Sequence, residues 1–192
     1  MNETYVDHPL TGVARIHLNR LEARNALNQA VREQLAEHFR VLGVDPEVRC
    51  ILPTGGDQVF AAGADIRDMA ERGAIDMMLR QTQRLWAAIA QCPKPVIAAV
   101  NGFALGGGCE LAMHADLIVA GRGARFGQPE VRVVIMPGAR GTQRLTRAVG
   151  KFQAMRMLLT GLPVSADEAL RMGLASEVVE DDQVQARALE LA

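Results

Sequence analysis

Gly106-Gly107-Gly108-Cys109-Glu110 runs straight into the apolar stretch Leu111-Ala112-Met113. Three glycines let backbone approach a ligand closely, because no Cβ stands in the way. The residues that follow read as a helix. The glycines therefore fall where backbone N–H groups lack intrahelical acceptors and the helix dipole favours negative charge. Glu110 adds a carboxylate at the first turn. An acid or base beside an anion-stabilising donor suits chemistry on a carbonyl whose oxygen becomes negative. A second carboxylate, Glu130, follows Pro129 in a tight turn. Taken singly, each has an ordinary explanation: a first-turn glutamate stabilises its helix, and a turn glutamate is solvated. Taken with their surroundings, both lie in apolar, glycine-rich segments. Burial there would raise a carboxyl's pKa and suit it to proton transfer.

The rest of the composition narrows the field. At 192 residues with 49% hydrophobic content, the chain supports a single domain with a substantial core. A formal charge of −1 with scattered basic residues argues against a nucleic-acid surface. No window approaches the roughly 18 apolar residues that span a membrane. The polar, acidic start Met1-Asn2-Glu3-Thr4 predicts no signal peptide. Cys50, Cys92 and Cys109 lack paired spacing and read as reduced thiols of a cytoplasmic protein. His8, His17, His38 and His114 form no metal-ligand pattern, so each is read as a surface or packing histidine and no metal is expected. The chain has no phosphate loop of the G-x-x-x-x-G-K type, no G-x-G-x-x-G and no G-x-S-x-G elbow.

The elements that must position these residues alternate strand and helix, an α/β pattern. Val13 to Leu18 has the period of a strand, and Asn19 to Asn28 is a polar connection. Val31, Leu35, Phe39 and Leu42 mark a helix that Gly43 closes. Val48 to Leu52 reads as a strand ending at Pro53, and Val59 to Ile66 as strand, turn and helix start. Leu79, Leu85, Trp86 and Ile89 belong to one helix that stops before Pro93. Val96 to Val100 and Leu117 to Ala120 are buried strands, and Phe126 to Glu130 is a turn. Met155, Leu158 and Leu159 lie on a helix ended by Gly161, and Ser165-x-x-Glu168 is a capping box. Asp182-x-x-Gln185 opens a last amphipathic helix that stops at Ala192 without a C-cap glycine, so we expect a chain cut short. Trp86, Met69 and Phe103 are candidates to line a pocket, with core the favoured reading of each.

Five segments carry a resemblance. They are Phe60 to Ile66, Pro93 to Gly102, Ala104 to Ala112, Phe126 to Glu130 and Gly141 to Leu145. In this order they are similar to the enoyl-CoA hydratase (crotonase) family, over about Ala14 to Val179. The resemblance implies an α/β, crotonase-like spiral of ββα turns over residues 1–192. The C-terminal helical region would begin near residue 182, with the trimerisation helices truncated. It implies two backbone N–H donors, Ala64 and Gly107, that hold the thioester oxygen of an acyl-CoA. It implies a catalytic pair in which Glu110 activates water for attack on C3 and Glu130 delivers a proton to C2 of a trans-2-enoyl thioester. Substrate and coenzyme A would be lined by Arg24, Ala26, Leu27, Ala62, Ala64, Asp65, Ile66, Gly106, Gly107, Pro129 and Gly138. No cofactor is implied beyond the coenzyme A on the substrate, and a homotrimer or hexamer is expected.

Relatives that keep the oxyanion loops but change one or both acids run other reactions, so possession of both glutamates favours hydration. A Δ3,Δ2-enoyl-CoA isomerase, or a non-catalytic acyl-CoA-binding relative, is the alternative. Three positions depart from the family pattern. Pro53 stands at a strand position, tolerable at an end or edge. Val134 replaces a glycine and is expected to narrow the acyl pocket or push its loop outward. Arg140 replaces another glycine and would cost on the order of 1 kcal/mol if that position needs positive φ. The amphipathic end of the chain is expected to expose apolar surface.

Overall fold

The computed structural model describes residues 2–70 and 72–192. Nine strands and eight helices follow one another among the described residues. They are β1 (Thr4–Leu10), β2 (Val13–Leu18), α1 (Gln29–Val44), β3 (Cys50–Thr54), α2 (Ile66–Ala70), α3 (Ala74–Leu79), α4 (Thr82–Ala90), β4 (Ile97–Val100), β5 (Phe103–Leu105) and α5 (Gly107–Ala112). Then come β6 (Leu117–Gly121), β7 (Arg125–Gly127), α6 (Gly141–Thr160), β8 (Val164–Ser165), α7 (Ala166–Arg171), β9 (Glu177–Val179) and α8 (Val184–Leu191).

Two sheets result. The larger has order β1-β2-β3-β4-β6-β9, parallel except for the β1–β2 hairpin. The smaller has order β5-β7-β8. The chain repeats a path: a strand in the large sheet, a short one in the small sheet, then a helix. Thus β4, β5 and α5 form one turn, and β6, β7 and α6 the next. In the preceding turn the small sheet is reached only by an isolated bridge, Ala61 to Ala104.

Strand periodicity divides the core. Ala98, Val100, Ile118 and Ala120 face the main cluster with Leu35, Phe39, Phe60 and Leu111. Ile97, Ala99, Val119, Cys50 and Leu52 face the other way and meet Val184 and Ala188 of α8. Both faces of the large sheet are therefore covered, which explains its continuous apolar runs. The expected exposure of the amphipathic end does not occur at these positions. Val184 and Ala188 are buried, and Leu189 and Leu191 pack against them.

Several local expectations are corrected. Gly43 lies inside α1, which runs on to Val44 and stops where Asp45 precedes Pro46. Pro53 sits within β3, an interior strand, opposite Ile16 of β2. The missing donor is accommodated on the other side. There β3 pairs β4 only at Thr54–Ala99, with a separate bridge at Ile51–Val96. Val59 to Ile66 contains no strand, only single bridges at Ala61 and Ala64. The helix expected across Leu79 and Leu85 is two, α3 and α4, broken at Gln81 in the left-handed region. Phe126 to Glu130 is not a simple turn: it completes β7 and enters a 3-10 turn over Pro129–Val133. A further 3-10 turn, Asp181–Gln183, precedes α8 where a helix start was expected at Asp182.

Val134 closes the 3-10 turn at φ 58° and is 92% exposed, so its side chain points into solvent instead of narrowing the pocket. Arg140 has φ 70° at the start of α6, so the condition on its cost is met. A β-branched residue in the left-handed region is strained, and Val134 has no burial to offset that. Val134→Gly is expected to stabilise the fold by about 1 kcal/mol, raising Tm by about 2–4 °C in a thermal melt. An unchanged or lower Tm would contradict the strain.

Candidate active site

A cavity of about 800 Å³ opens between α1, α2, α3, α4, α5 and the segment 129–139. Its wall is mostly apolar, with Ile66, Met69, Met77, Met78, Trp86 and Ile135 among the lining residues. Into it face the backbone of Ala64 and Gly107 and the side chains of Glu110, Glu130 and Arg32.

The free donors are a consequence of how the neighbouring backbone is paired. Asn25, buried at φ 53°, donates through Nδ2 to the carbonyls of Gly55, Val59 and Phe60. The N–H of Ala62 donates to Arg24, that of Leu27 to Gly63, and that of Asp65 to Leu27. These bonds clamp residues 62–65 against the loop 24–27. The Ala64 N–H lies between the Gly63 carbonyl, which accepts from Leu27, and the Asp65 N–H, which donates to Leu27, and itself donates to no protein acceptor among the described residues. Gly107, at the first position of α5, likewise has no acceptor for its N–H. The two approach each other. A Cβ built on Gly107 would lie 3.7 Å from the Ala64 nitrogen, and one on Gly63 would lie 3.7 Å from the Gly107 nitrogen. Two unpaired N–H groups at one point of a buried wall can hold a carbonyl oxygen that gains charge.

The two acids reach the same cavity from different elements. Glu110 projects from α5 and is 2% exposed. Its Oε1 accepts from the N–H groups of Ala139 and Gly141, each at 2.7 Å, while Oε2 accepts from no protein donor among the described residues. Burial raises its pKa, against the pull of those two N–H groups and the charge of Arg32. Gly141 must lack a side chain, since a Cβ would stand 2.8 Å from Glu110 Oε1. Glu130 sits in the 3-10 turn after Pro129 and is 7% exposed. Burial pushes its carboxyl up to about 7; its own N–H opposes this, and the Glu110 charge adds to it. Gly106, at φ 50°, passes beneath: a Cβ there would meet Glu130 Oε1 at 2.8 Å. The fully buried Gln128, with its amide nitrogen turned toward Glu130, donates to both carboxylate oxygens at 3.3 Å.

Of the residues expected from sequence, Ala62, Ala64, Ile66, Gly106, Gly107, Glu110, Pro129, Glu130 and Gly138 line the cavity. Arg24, Ala26, Leu27 and Asp65 do not. Leu27 is core beneath Gly107, and the Arg24 carbonyl belongs to the clamp. Asp65 caps α2 and pairs with Arg20. Trp86 and Met69 line the cavity, Trp86 as a core residue too, whereas Phe103 is exposed at the surface. His114 is the packing histidine expected: Nδ1 donates to the Glu110 carbonyl at 2.7 Å, and the ring stacks on Trp86. Sequence reading missed Asn25, Arg32, Gln128 and the Ala139 and Gly141 donors. Arg32 left a signal, because it precedes Leu35, Ala36 and Phe39 on the buried stripe of α1. The N–H donors left none, being backbone.

A spiral of ββα turns that brings two free N–H groups and two buried acids to one cavity defines a class of protein working on a polarised carbonyl. The comparisons agree. The family model for enoyl-CoA hydratase/isomerase matches residues 10–192, and the chain belongs to that family. It is 47% identical over 180 residues to a probable enoyl-CoA hydratase of Mycobacterium leprae, covering 94% of this chain and 70% of that protein. It is 46% identical to the 2,3-dehydroadipyl-CoA hydratase of Escherichia coli, covering 94% and 71%. The crystal structure of enoyl-CoA hydratase from Bacillus anthracis superposes with TM-score 0.94 at 35% identity, covering 98% of this chain and 74% of that one. The fold is crotonase-like.

The buried acids set a pH dependence. The folded-state pKa of Glu130 lies above its ordinary 4.5, so its proton is held more tightly in the folded chain. Stability is therefore fully present below about pH 4.5 and falls as pH rises toward about 7. A carboxyl ¹³C titration is expected to show Glu130 with its midpoint near 7. A midpoint in the ordinary carboxylate range would overturn this account of the site.

Proposed function

We propose that the chain is an enoyl-CoA hydratase, a hydro-lyase adding water across the double bond of a trans-2-enoyl-CoA. The observation that carries this reading is the convergence of the free N–H groups of Ala64 and Gly107 with Glu110 and Glu130 on one cavity. The thioester oxygen accepts from both N–H groups, which act most strongly as the enolate forms. Glu110, held through Oε1 by Ala139 and Gly141, offers Oε2 to a water and takes its proton as the oxygen bonds to C3. Glu130, whose raised pKa keeps it protonated into the neutral range, gives its proton to C2. Water supplies hydroxyl to C3. The proton left on Glu110 returns to Glu130 through solvent, so atoms and charge balance over the cycle. With both carboxyls acting on the same face of the double bond, the addition is syn.

The reading carries further parts. The substrate is an acyl-CoA thioester of fatty-acid or aromatic-acid degradation, and no cofactor is needed beyond its coenzyme A. We place the protein in the cytoplasm as a homotrimer or hexamer. No described helix is long and apolar enough to cross a membrane. Exposed Val131, Val133, Met136, Phe152 and Leu159 support a subunit interface on that side.

Crotonyl-CoA hydration tests the assignment. Glu110→Gln and Glu130→Gln are each expected to lower kcat by about 10²–10⁴-fold. The wild-type kcat/KM should fall as pH rises through about 7, where Glu130 loses its proton. Full activity in both variants would sink the two-acid mechanism. Conversion of a 3-enoyl-CoA to its conjugated isomer without water uptake would place the chain with the isomerases instead.

A further inference from the structure

Arg32 lends its charge to Glu110, but the hydrogen-bonding capacity of its guanidinium is left unused by this chemistry. It projects from α1 with 9% of its surface exposed and lines the cavity together with Glu110, Trp86 and Met69. Its guanidinium makes no hydrogen bond or salt bridge among the described residues, and its Nε is a buried donor without a partner. The acids whose charge it feels are engaged elsewhere. Asp68 is held by two bonds from Arg80, Asp65 is paired with Arg20, and Glu110 is fixed through Oε1 by backbone. The other cations of the wall, Arg84 and Arg132, are exposed.

A buried, unpaired cation is strongly disfavoured, and buried polar groups nearly always have a partner. The partner that matches a guanidinium fork is a planar anion with two oxygens. Because the surrounding wall is apolar, that anion must arrive on an apolar stem. The bulky nucleotide end of coenzyme A does not fit this description, whereas the far end of an acyl chain does. We propose that Arg32 is the specificity determinant of the acyl pocket. It binds a carboxylate at the end of the chain remote from the thioester, so the preferred substrate is the mono-thioester of an unsaturated dicarboxylic acid. This rests on the hydratase reading above.

The test compares trans-2-enoyl-CoA thioesters of equal chain length ending in a carboxylate, its methyl ester or a methyl group. In the wild type, kcat/KM for the carboxylate-ended thioester should exceed that for the methyl ester by about 10- to 100-fold. Arg32→Leu should bring that ratio close to one, and Arg32→Lys should restore part of it. No wild-type preference for the carboxylate, or a preference that survives Arg32→Leu, would overturn the proposal. So would a loss of rate equal for all three thioesters, which would make Arg32 a charge acting only on Glu110. If Arg32→Leu does not fold, the wild-type preference decides. If the wild type hydrates none of the three, the hydratase reading fails. Calorimetric binding of the saturated carboxylate-ended thioester against its methyl ester then judges Arg32, with tighter binding of the former sustaining it and equal affinity overturning it.

Discussion

Among the described residues, the N–H groups of Ala64 and Gly107 are left without acceptors at the wall of a buried cavity, and much of the structure exists to keep them so. A free amide inside a core is unstable on its own account, because a shift of the chain would pair it. Here the neighbouring amides are spoken for. Ala62, Leu27 and Asp65 all donate within the clamp between residues 24–27 and 62–65, and Asn25 locks that clamp to the 55–60 loop. Gly107 is held from the other side, where the N–H of Gly106 donates to Gly127 of β7. The large sheet supplies the rigidity. Its strands are covered on both faces, so the ends of β3 and β4 from which these loops depart do not move independently.

What could be read from sequence divides along the same line. Periodicity located β2, β4, β6 and α1, because their side chains report their own burial. The capping box at Ser165 and the glycine stop at Gly161 were equally visible. The break between α3 and α4 was hidden, since Gln81 adopts the left-handed region without the glycine that usually announces it. Pro53 misled for a tertiary reason: the partner strand beside it had already lost its pairing there.

For the site, the two buried carboxylates were legible and the groups that position them were not. Glu110 and Glu130 stood out through their apolar surroundings. The donors that aim Glu110 are amides of Ala139 and Gly141, residues whose side chains say nothing of it. For Val134, narrowing of the pocket, one of the two expected effects, does not occur. The backbone instead turns that side chain outward at φ 58°. The side chain of Asp65 is engaged within the fold. A carboxylate beside the free amide serves α2 and Arg20.

One cavity makes two unlike acids out of identical side chains. Both glutamates are desolvated, which alone would raise both pKa values together and leave neither with a distinct role. Glu110 receives two backbone N–H bonds and the nearby Arg32 charge, each favouring its anion. Glu130 has its own N–H and the Gln128 amide as counterweights, and it feels the negative charge on Glu110 besides. The asymmetry therefore reinforces itself: a negative charge on Glu110 pushes the Glu130 carboxyl further up. The proposed division into base and acid thus depends on the segment Ala139 to Gly141, where a Cβ at Gly141 would strike the Glu110 carboxylate. Arg140 keeps its positive φ between those two donors, because relaxing it would turn the peptide planes that aim both N–H groups at one oxygen.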